Sequence, residues 1–383
     1  MKAYKILLTA LLLSLLTGCS ILSGSPAMSV SVSSDGRYVV SAHRGTKLYL
    51  WDIEAQSKTR IARDANLYSA FFIPGSDAFM WQNLDREVIV QTVEGEKVKR
   101  FALDHDVYGH VMNLERDIYV SADAEYALRV ITQGEETQLK APGGSFMGFF
   151  KVLNLSLSAD ASLLVTAGSG RSHRDYEITE ADHNNNYNRM VGVSLWSLER
   201  LEPLAKLPGN SSKTHASISP DGQWVVSGDE NGIGRFWNTN EPEERFDNAH
   251  YFGGIYGGVD ESGEFKPRDR SKLIPRPSER IDDATLATLF IQNSRYYFYL
   301  SYTGREPSHP YAVLFETGNP WPIKYFHLGT NPWPSTQNYS RNLTVSTAPE
   351  AGILVTGQHS RGGINVYQFD AEALTLERIW VGR

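Results

Sequence analysis

The stretch SPDGQWVVSGDENGIGRFWN, residues 219–238, decides the fold of this chain. It opens on Asp221 and Gly222, a pair that is typical of a tight turn. The β-rich run WVVSG follows, then a second turn, and then the β-rich run GRFWN. The stretch therefore predicts two antiparallel strands joined by a tight turn.

The same pattern recurs along the chain. Clear copies are SSDGRYVVSA from Ser33, SADASLLVTA from Ser158 and APEAGILVTG from Ala348. Weaker copies start at Gly75, Glu115 and Gln292. The first strand residue after each turn is expected at Tyr38, Ala78, Ile118, Leu163, Trp224, Tyr296 and Ile353. The spacing begins near forty residues and grows in the later copies, which is typical of propeller blades that carry insertions.

Each copy has β-rich runs before and after it, so that one unit provides four strands. Seven units of four strands predict an all-β fold, a seven-bladed β-propeller. The first inner strand is expected near Met28 and the last outer strand near Val381. The sequence leaves two forms of ring closure open: no exchanged strand, or a short pairing segment supplied by residues 20–27.

The stretch 219–238 resembles a WD repeat, with its Asp-Gly turn and with Trp237 at the position of the family tryptophan. Trp51 and Asp52 reproduce the signature dipeptide, and Trp196 takes the same place in another unit. The resemblance implies a WD-repeat-like propeller over most of the chain, and it implies no specific activity.

Other units depart from the family pattern. The tryptophan position holds Gln91, Ile131, Phe315 and Tyr367. The Gly-His pair of the family appears only as Gly109 and His110, without an aspartate at the usual spacing.

The N-terminus has the pattern of an export signal. Lys2 and Lys5 precede the apolar run ILLTALLLSLL, which is too short to span a bilayer as a helix. The run ends in LTGC, which resembles the lipobox of bacterial lipoproteins and implies lipid attachment at Cys19. Ser20 follows the cysteine, and under the sorting rule of such lipoproteins it implies release to the outer membrane. More than one acyl chain is needed for stable anchoring.

These signals predict a domain organisation. Residues 1–18 are expected to be a lipoprotein signal peptide, residues 19–27 a lipidated tether, and residues 28–383 the propeller. Long loops are expected at about residues 168–190, 246–283 and 329–341. The formal net charge of −7 gives no support for general nucleic-acid binding.

Topology places the insertions on one end of the propeller. In a blade of four antiparallel strands, the turn between strands two and three and the link to the next blade share one end. The long loops fall at these positions. Their aromatic and basic side chains suit a protein interface, and the candidate partner-binding residues are Tyr251, Phe252, Tyr256, Arg268, Arg270, Trp321 and Trp333. Two alternatives to an interface remain open: the long loops are solvated, or the tryptophan side chains pack the loops onto the blades.

Motifs of catalysis and metal binding are absent from the sequence. It contains no His-Glu-x-x-His, Gly-x-Ser-x-Gly or Gly-Lys-Ser/Thr motif. The sequence from Asp182 begins like a calcium-binding loop but does not complete the motif, because Tyr187 and Val193 stand where the loop needs glycine and glutamate. We expect no metal, no cofactor and no catalytic residue.

These observations favour a non-enzymatic scaffold. It is expected to be anchored in the outer membrane through Cys19, to face the periplasm, and to bind an envelope protein in an assembly or secretion complex. The alternative is a glycan-binding protein or propeller enzyme that uses the central funnel. Display on the cell surface is a third possibility that the signal does not distinguish.

Overall fold

The structure is a computed structural model. It describes residues 25–123, 128–139, 150–170, 193–207, 214–229, 234–242, 245–247, 257–259, 265–267, 287–302, 310–329, 344–358 and 362–383. Cys19 and the rest of the predicted signal and tether up to residue 24 lie outside these ranges, as do most residues of the three predicted long loops.

Seven four-stranded antiparallel sheets form the blades, and in each sheet the strand order follows the chain. The first three blades comprise β1 Ala27–Val32, β2 Tyr38–His43, β3 Lys47–Asp52 and β4 Ser57–Ala62, then β5 Phe71–Phe72, β6 Ala78–Gln82, β7 Glu87–Thr92 and β8 Lys97–Ala102, then β9 Val107–Asn113, β10 Ile118–Asp123, β11 Leu128–Thr132 and β12 Glu135–Leu139.

The remaining blades follow the same order. They comprise β13 Phe150–Leu157, β14 Leu163–Gly170, β15 Val193–Ser197 and β16 Glu202–Leu207, then β17 Thr214–Ile218, β18 Trp224–Asp229, β19 Gly234–Asn238 and β20 Arg245–Asp247, then β23 Ala287–Ile291, β24 Tyr296–Tyr302, β25 Pro310–Glu316 and β26 Pro322–His327, then β27 Val345–Ala348, β28 Ile353–Gly357, β29 Ile364–Asp370 and β30 Thr375–Gly382. A separate hairpin of β21 Gly257–Val259 and β22 Phe265–Pro267 lies in the link between blades five and six.

The predicted seven-bladed, all-β fold is confirmed. The second strand of the blades begins at Tyr38, Ala78, Ile118, Leu163, Trp224, Tyr296 and Ile353, the seven positions expected from the repeats. The described residues contain no helix, and so they provide no helical segment that could cross a membrane.

Side-chain hydrogen bonds explain why the repeat motif makes a turn. In blade one the Asp35 carboxylate accepts hydrogen bonds from the Ser33 hydroxyl, at 2.6 Å, and from the Arg37 amide, at 3.0 Å. The Ser33 oxygen in turn accepts the Tyr38 amide at 2.9 Å. Gly36 has a φ of 73°, a left-handed conformation that favours glycine. The motif thus closes the turn and sets the first residue of strand two.

The inner strands leave a free edge, since strand one pairs only with strand two of its own blade. Side chains of the neighbouring inner strand provide hydrogen-bond partners for the backbone groups of that edge. The Ser31 oxygen accepts the Phe72 amide at 2.9 Å, and the Asn154 oxygen accepts the Ala216 amide at 2.8 Å. Buried backbone groups without partners are costly, so these short polar side chains join the blades around the channel.

Apolar clusters fill the space between blades. The described residues form seven separate clusters of buried side chains, and each cluster draws its buried members from two neighbouring blades. In the blade five and six cluster, for example, the Tyr299 hydroxyl of blade six donates to the Ser227 carbonyl oxygen of blade five at 2.9 Å. The core is therefore a ring of seven interfaces, and each blade depends on both neighbours for burial.

Blade seven closes the ring against blade one. The Val32 amide donates to the Ser346 hydroxyl at 3.1 Å, across 314 residues of sequence. Trp51 and Trp380 meet edge to face with centroids 6.0 Å apart. A Cβ on Gly357 would lie 2.7 Å from the Ala27 Cβ, so the close approach requires glycine there. The blade-seven sheet consists of β27 to β30, so in the described residues closure uses no exchanged strand.

We predict that Ser31→Ala destabilises the propeller by about 1–3 kcal/mol, because it leaves the buried Phe72 amide without its acceptor. Urea unfolding of the purified chain measures the change. The exposed Ser57 provides the matched control, and Ser57→Ala is expected to change stability by less than about 0.5 kcal/mol. Equal effects of the two substitutions would contradict the inner-strand role.

Candidate interaction surfaces

The strand order gives the propeller two different ends. The turns between strands one and two and between strands three and four form one end, which we call the turn end. The turns between strands two and three and the links between blades form the other, which we call the insertion end. The described part of the insertion end includes residues 44–46, 63–70, 83–86 and 103–106. These segments belong to blades one to three.

Two tyrosines stack at the insertion end. Tyr68 lies in the link to blade two and Tyr108 near the start of β9, with ring centroids 5.1 Å apart and ring planes 25° apart. Tyr108 lies in a β-bulge, because two residues of β9 stand opposite one residue of β10 at this point. Bulges redirect side chains and are common beside functional sites. Both tyrosines are partly exposed.

A buried amide network holds the two tyrosines in place. The Gln82 Oε1 atom accepts hydrogen bonds from Asn66 Nδ2, at 2.8 Å, and from the Val107 amide, at 3.0 Å. The Asn66 Oδ1 atom accepts the Tyr68 amide at 3.0 Å. Because Gln82 is fully buried, the network fixes the backbone beside both rings. The stacked pair is therefore preorganised for contact.

A rim of charged and apolar side chains adjoins the stack. Leu84, in the turn between β6 and β7, is 60% exposed. Arg86 follows it and contacts Asp106 at 3.4 Å and the Asp104 carbonyl oxygen at 2.7 Å. A preorganised aromatic centre with an apolar residue and charges around it is typical of protein–protein interfaces.

A chain of three polar side chains in blade three looks like a hydrolase triad. Asp104 contacts the His105 Nδ1 atom at 2.7 Å, and the His105 Nε2 atom contacts the Ser121 hydroxyl at 3.1 Å. The hydrogen bond from His105, with Arg129 nearby, lowers the pKa of the Asp104 carboxyl. Ser121 is only 1% exposed, so its oxygen cannot reach a substrate. These hydrogen bonds instead connect the link before blade three to strand two of that blade.

Blade one contains a second series of hydrogen-bonded polar side chains, and this series is buried. The Trp51 indole donates to Ser41 at 2.7 Å, Ser41 contacts the His43 Nε2 atom at 2.7 Å, and His43 Nδ1 donates to the Ser25 carbonyl at 3.1 Å. With Nδ1 donating, Nε2 accepts the Ser41 proton, so the bonds fit a neutral imidazole. Burial lowers the pKa of His43 to about 4.

His110 is held in the same way in blade three. Its Nε2 atom donates to the Ser69 carbonyl at 2.6 Å, and its Nδ1 atom lies 3.1 Å from the Tyr119 hydroxyl. Burial lowers the pKa of His110 to about 4. The hydrogen bond to Ser69 crosses from blade three to blade two, so His110 helps to connect these two neighbouring blades.

Most predicted partner-binding residues lie outside the described part of the chain. These are Tyr251, Phe252, Tyr256, Arg268, Arg270 and Trp333, and Cys19 lies outside it too. Trp321 is described, and its amide donates to Asn319 Oδ1 at 3.0 Å. It lies between β25 and β26, strands three and four of blade six, and so it belongs to the turn end. Trp321 therefore cannot share one surface with the insertion end.

Sequence reasoning did not single out Tyr68, Leu84 or Tyr108. One signal was present, since the two tyrosines are one repeat period apart. Among the residues that the structure describes, no group of three or more His, Cys, Asp or Glu side chains could hold a metal ion.

Comparisons with known proteins agree with this architecture. The family model for the WD domain, G-beta repeat, matches residues 16–52 and 201–238. The chain contains WD40 repeats. The second match includes Trp237 and the Asp221-Gly222 turn, and the first includes Trp51 and Asp52. No curated protein sequence matches the chain.

A solved structure has the same fold. It is the crystal structure of the β-propeller domain of Cps50 (Swd1) from Myceliophteria thermophila. The TM-score is 0.58 at 10% sequence identity, and the match covers 90% of this chain and 97% of the other. At this identity the similarity concerns the fold alone.

We predict that the free energy of unfolding falls as the pH drops from about 6.5 to about 4. In this window His43 and His110 bind protons in the unfolded chain but stay neutral in the fold, so protonation favours unfolding. Each histidine contributes up to about 3 kcal/mol to the loss. Urea unfolding at several pH values measures it. His110→Gln should flatten the dependence, and an unchanged slope in this variant would contradict the assignment.

Proposed function

We propose that this protein is a lipid-anchored scaffold that binds a protein partner through the insertion end of its propeller. The stacked and preorganised pair Tyr68 and Tyr108 carries this proposal. The neighbouring Leu84 supplies exposed apolar area, and Arg86 and Asp106 supply a polar rim. WD40 repeats and a propeller fold are consistent with a protein-interaction scaffold.

The geometry of the inner strands weighs against the alternative use of the central funnel. Polar side chains of these strands point between blades and hydrogen-bond to backbone groups of the next blade. Ser29 accepts the Ala70 amide at 3.2 Å, and Thr347 donates to the Phe290 carbonyl at 2.8 Å. Side chains used in this way are not available to a glycan or a substrate in the funnel.

Location in the envelope is part of the proposal. The sequence LTGC before Ser20 supports lipidation at Cys19 and placement in the outer membrane, and we propose orientation toward the periplasm with it. An envelope assembly or secretion complex is the kind of partner that suits a propeller tethered close to a bilayer.

We expect Cys19→Ala to abolish metabolic labelling with palmitate and to release the chain from the membrane fraction. The thioether and the new N-terminus at Cys19 are the two sites that carry acyl chains in a lipoprotein, and both require this cysteine. Labelling of the wild-type chain and the variant in the same cells measures the change. Label that persists in the variant would contradict the anchor.

The partner surface is tested by photo-crosslinking in cells. A photoreactive residue at Leu84, at the insertion end, is compared with one at the exposed Glu54, in the turn between β3 and β4 at the turn end. We expect one dominant envelope protein to be captured from position 84 and not from position 54. The adduct should be reduced at least tenfold in a Tyr68→Ala/Tyr108→Ala background, because hot-spot aromatics each contribute about 2 kcal/mol or more.

Two results would contradict the proposed surface. One is equal capture from positions 84 and 54, and the other is an adduct that is unaffected by loss of the tyrosines. Circular dichroism of the double variant shows whether the propeller remains folded.

A further inference from the structure

Blade one carries a cluster of cations and aromatic rings on its outer rim. The Lys58 Nζ atom lies 5.0 Å from the centre of the Trp51 ring and 5.1 Å from that of Tyr49. In the ladder between β3 and β4, Lys58 stands opposite Trp51, and Arg60 stands opposite Tyr49. Lys47 lies on the same face of β3 as Tyr49, two residues earlier. We call Lys47, Lys58 and Arg60 the rim cations.

The rim cations have no acidic partner. Within the described ranges, none of Lys47, Lys58 and Arg60 forms an ion pair. The nearby Asp52 carboxylate accepts the Ala55 amide at 2.8 Å, as part of its own turn. Partial burial, with Lys47 nearby, lowers the pKa of Lys58. Three cations are therefore concentrated on β3 and β4 without an ion pair to an acid of the described residues.

Blade two carries paired cations on the equivalent strand, and its Arg100, opposite Ile89 in the ladder, corresponds to Arg60 opposite Tyr49. Its outer strand β8 reads KVKRFA, close to SKTRIA in β4 of blade one. In β8, Lys99 pairs with Asp117 and Arg100 with Glu87. Blade one has the basic strand without the acids. In a chain with a net charge of −7, this contrast points to an anionic ligand outside the chain.

The rim cations lie close to the expected point of anchoring. His43 packs edge to face on Tyr49, with centroids 5.1 Å apart, and His43 binds the Ser25 carbonyl. Ser25 is thus three contacts away from Lys58, through His43 and Tyr49. Cys19 precedes Ser25 by six residues, which span at most about 20 Å. An acylated Cys19 would therefore hold the blade-one rim near a bilayer surface.

We propose that the rim of blade one binds the phosphate groups of anionic lipid headgroups, through Lys47, Lys58 and Arg60. Lysine and arginine near an anionic surface, together with a partly exposed tyrosine such as Tyr49, favour the membrane interface, whereas Trp51 is fully buried and does not reach the lipid. The inference rests on the proposed anchor for its location.

Flotation of the chain with lipid vesicles tests the proposal. The chain from Ser20 to Arg383, purified without lipid, is mixed with phosphatidylcholine vesicles that contain or lack phosphatidylglycerol. We expect binding to the anionic vesicles alone, and weaker binding as salt rises. Lys58→Gln/Arg60→Gln should reduce the affinity more than tenfold, since each cation near the surface contributes about fivefold.

Blade two supplies the matched control. Lys99→Gln/Arg100→Gln removes the same charge from the equivalent strand, where both cations are already paired, and it should reduce the affinity less than about threefold. Lys58→Arg should retain binding. The urea midpoint of each variant shows that it is folded.

Three results would overturn the proposal: no preference for anionic vesicles, equal losses in the blade-one and blade-two variants, or saturable binding of inorganic phosphate at Lys58 without vesicle binding. The last would assign the cluster to a soluble phosphate compound. The chain used in this test carries no lipid, so a negative result does not bear on the Cys19 anchor, which palmitate labelling tests. It also does not bear on the partner surface, which crosslinking tests.

Discussion

The free edge of each inner strand is the constraint on which this structure depends. Seven sheets arranged around one channel cannot pair their inner strands with one another, so amides and carbonyls of strand one face the neighbouring blade without a ladder. Short polar side chains satisfy them, as Ser31 does for Phe72 and Asn154 does for Ala216. The last of these contacts, from Val32 to Ser346, joins the two ends of the described chain.

This constraint separates the parts of the molecule that are fixed from the parts that vary. Inner strands and interblade clusters use almost every side chain for packing, and two buried histidines are held neutral within them. The turn end repeats a short motif, of which Asp35 and Gly36 give the pattern. The insertion end and the outer rim are free to differ between blades. The preorganised tyrosines occur at the former and the unpaired cations at the latter, which is why we place recognition there.

Much of the fold could be predicted from the sequence because the repeat motif acts locally. A serine, an aspartate and a residue with positive φ close the turn by themselves, so Tyr38 and Trp224 could be identified as strand starts without tertiary information. Ring closure could not, because it depends on contacts such as Gly357 with Ala27 that no local pattern encodes.

The candidate surfaces were harder to predict for the same reason. Tyr68 and Tyr108 belong to different blades, and they become one feature only through the Gln82 network. Trp321 looked equivalent to Trp333 because both follow Asn-Pro. The shared Asn-Pro-Trp sequence does not show which end of a blade each tryptophan occupies, and the strand order assigns Trp321 to the turn end.

Amide hydrogen exchange at the junction of blades one and seven tests the central claim most directly. If the ring closes through Val32 and Ser346, the amides of β1 and β27 should exchange as slowly as those of β17, which has blades on both sides in the chain. Exchange in β1 and β27 that is many times faster than in β17 would contradict the account. It would show a chain of blades that is open at this junction.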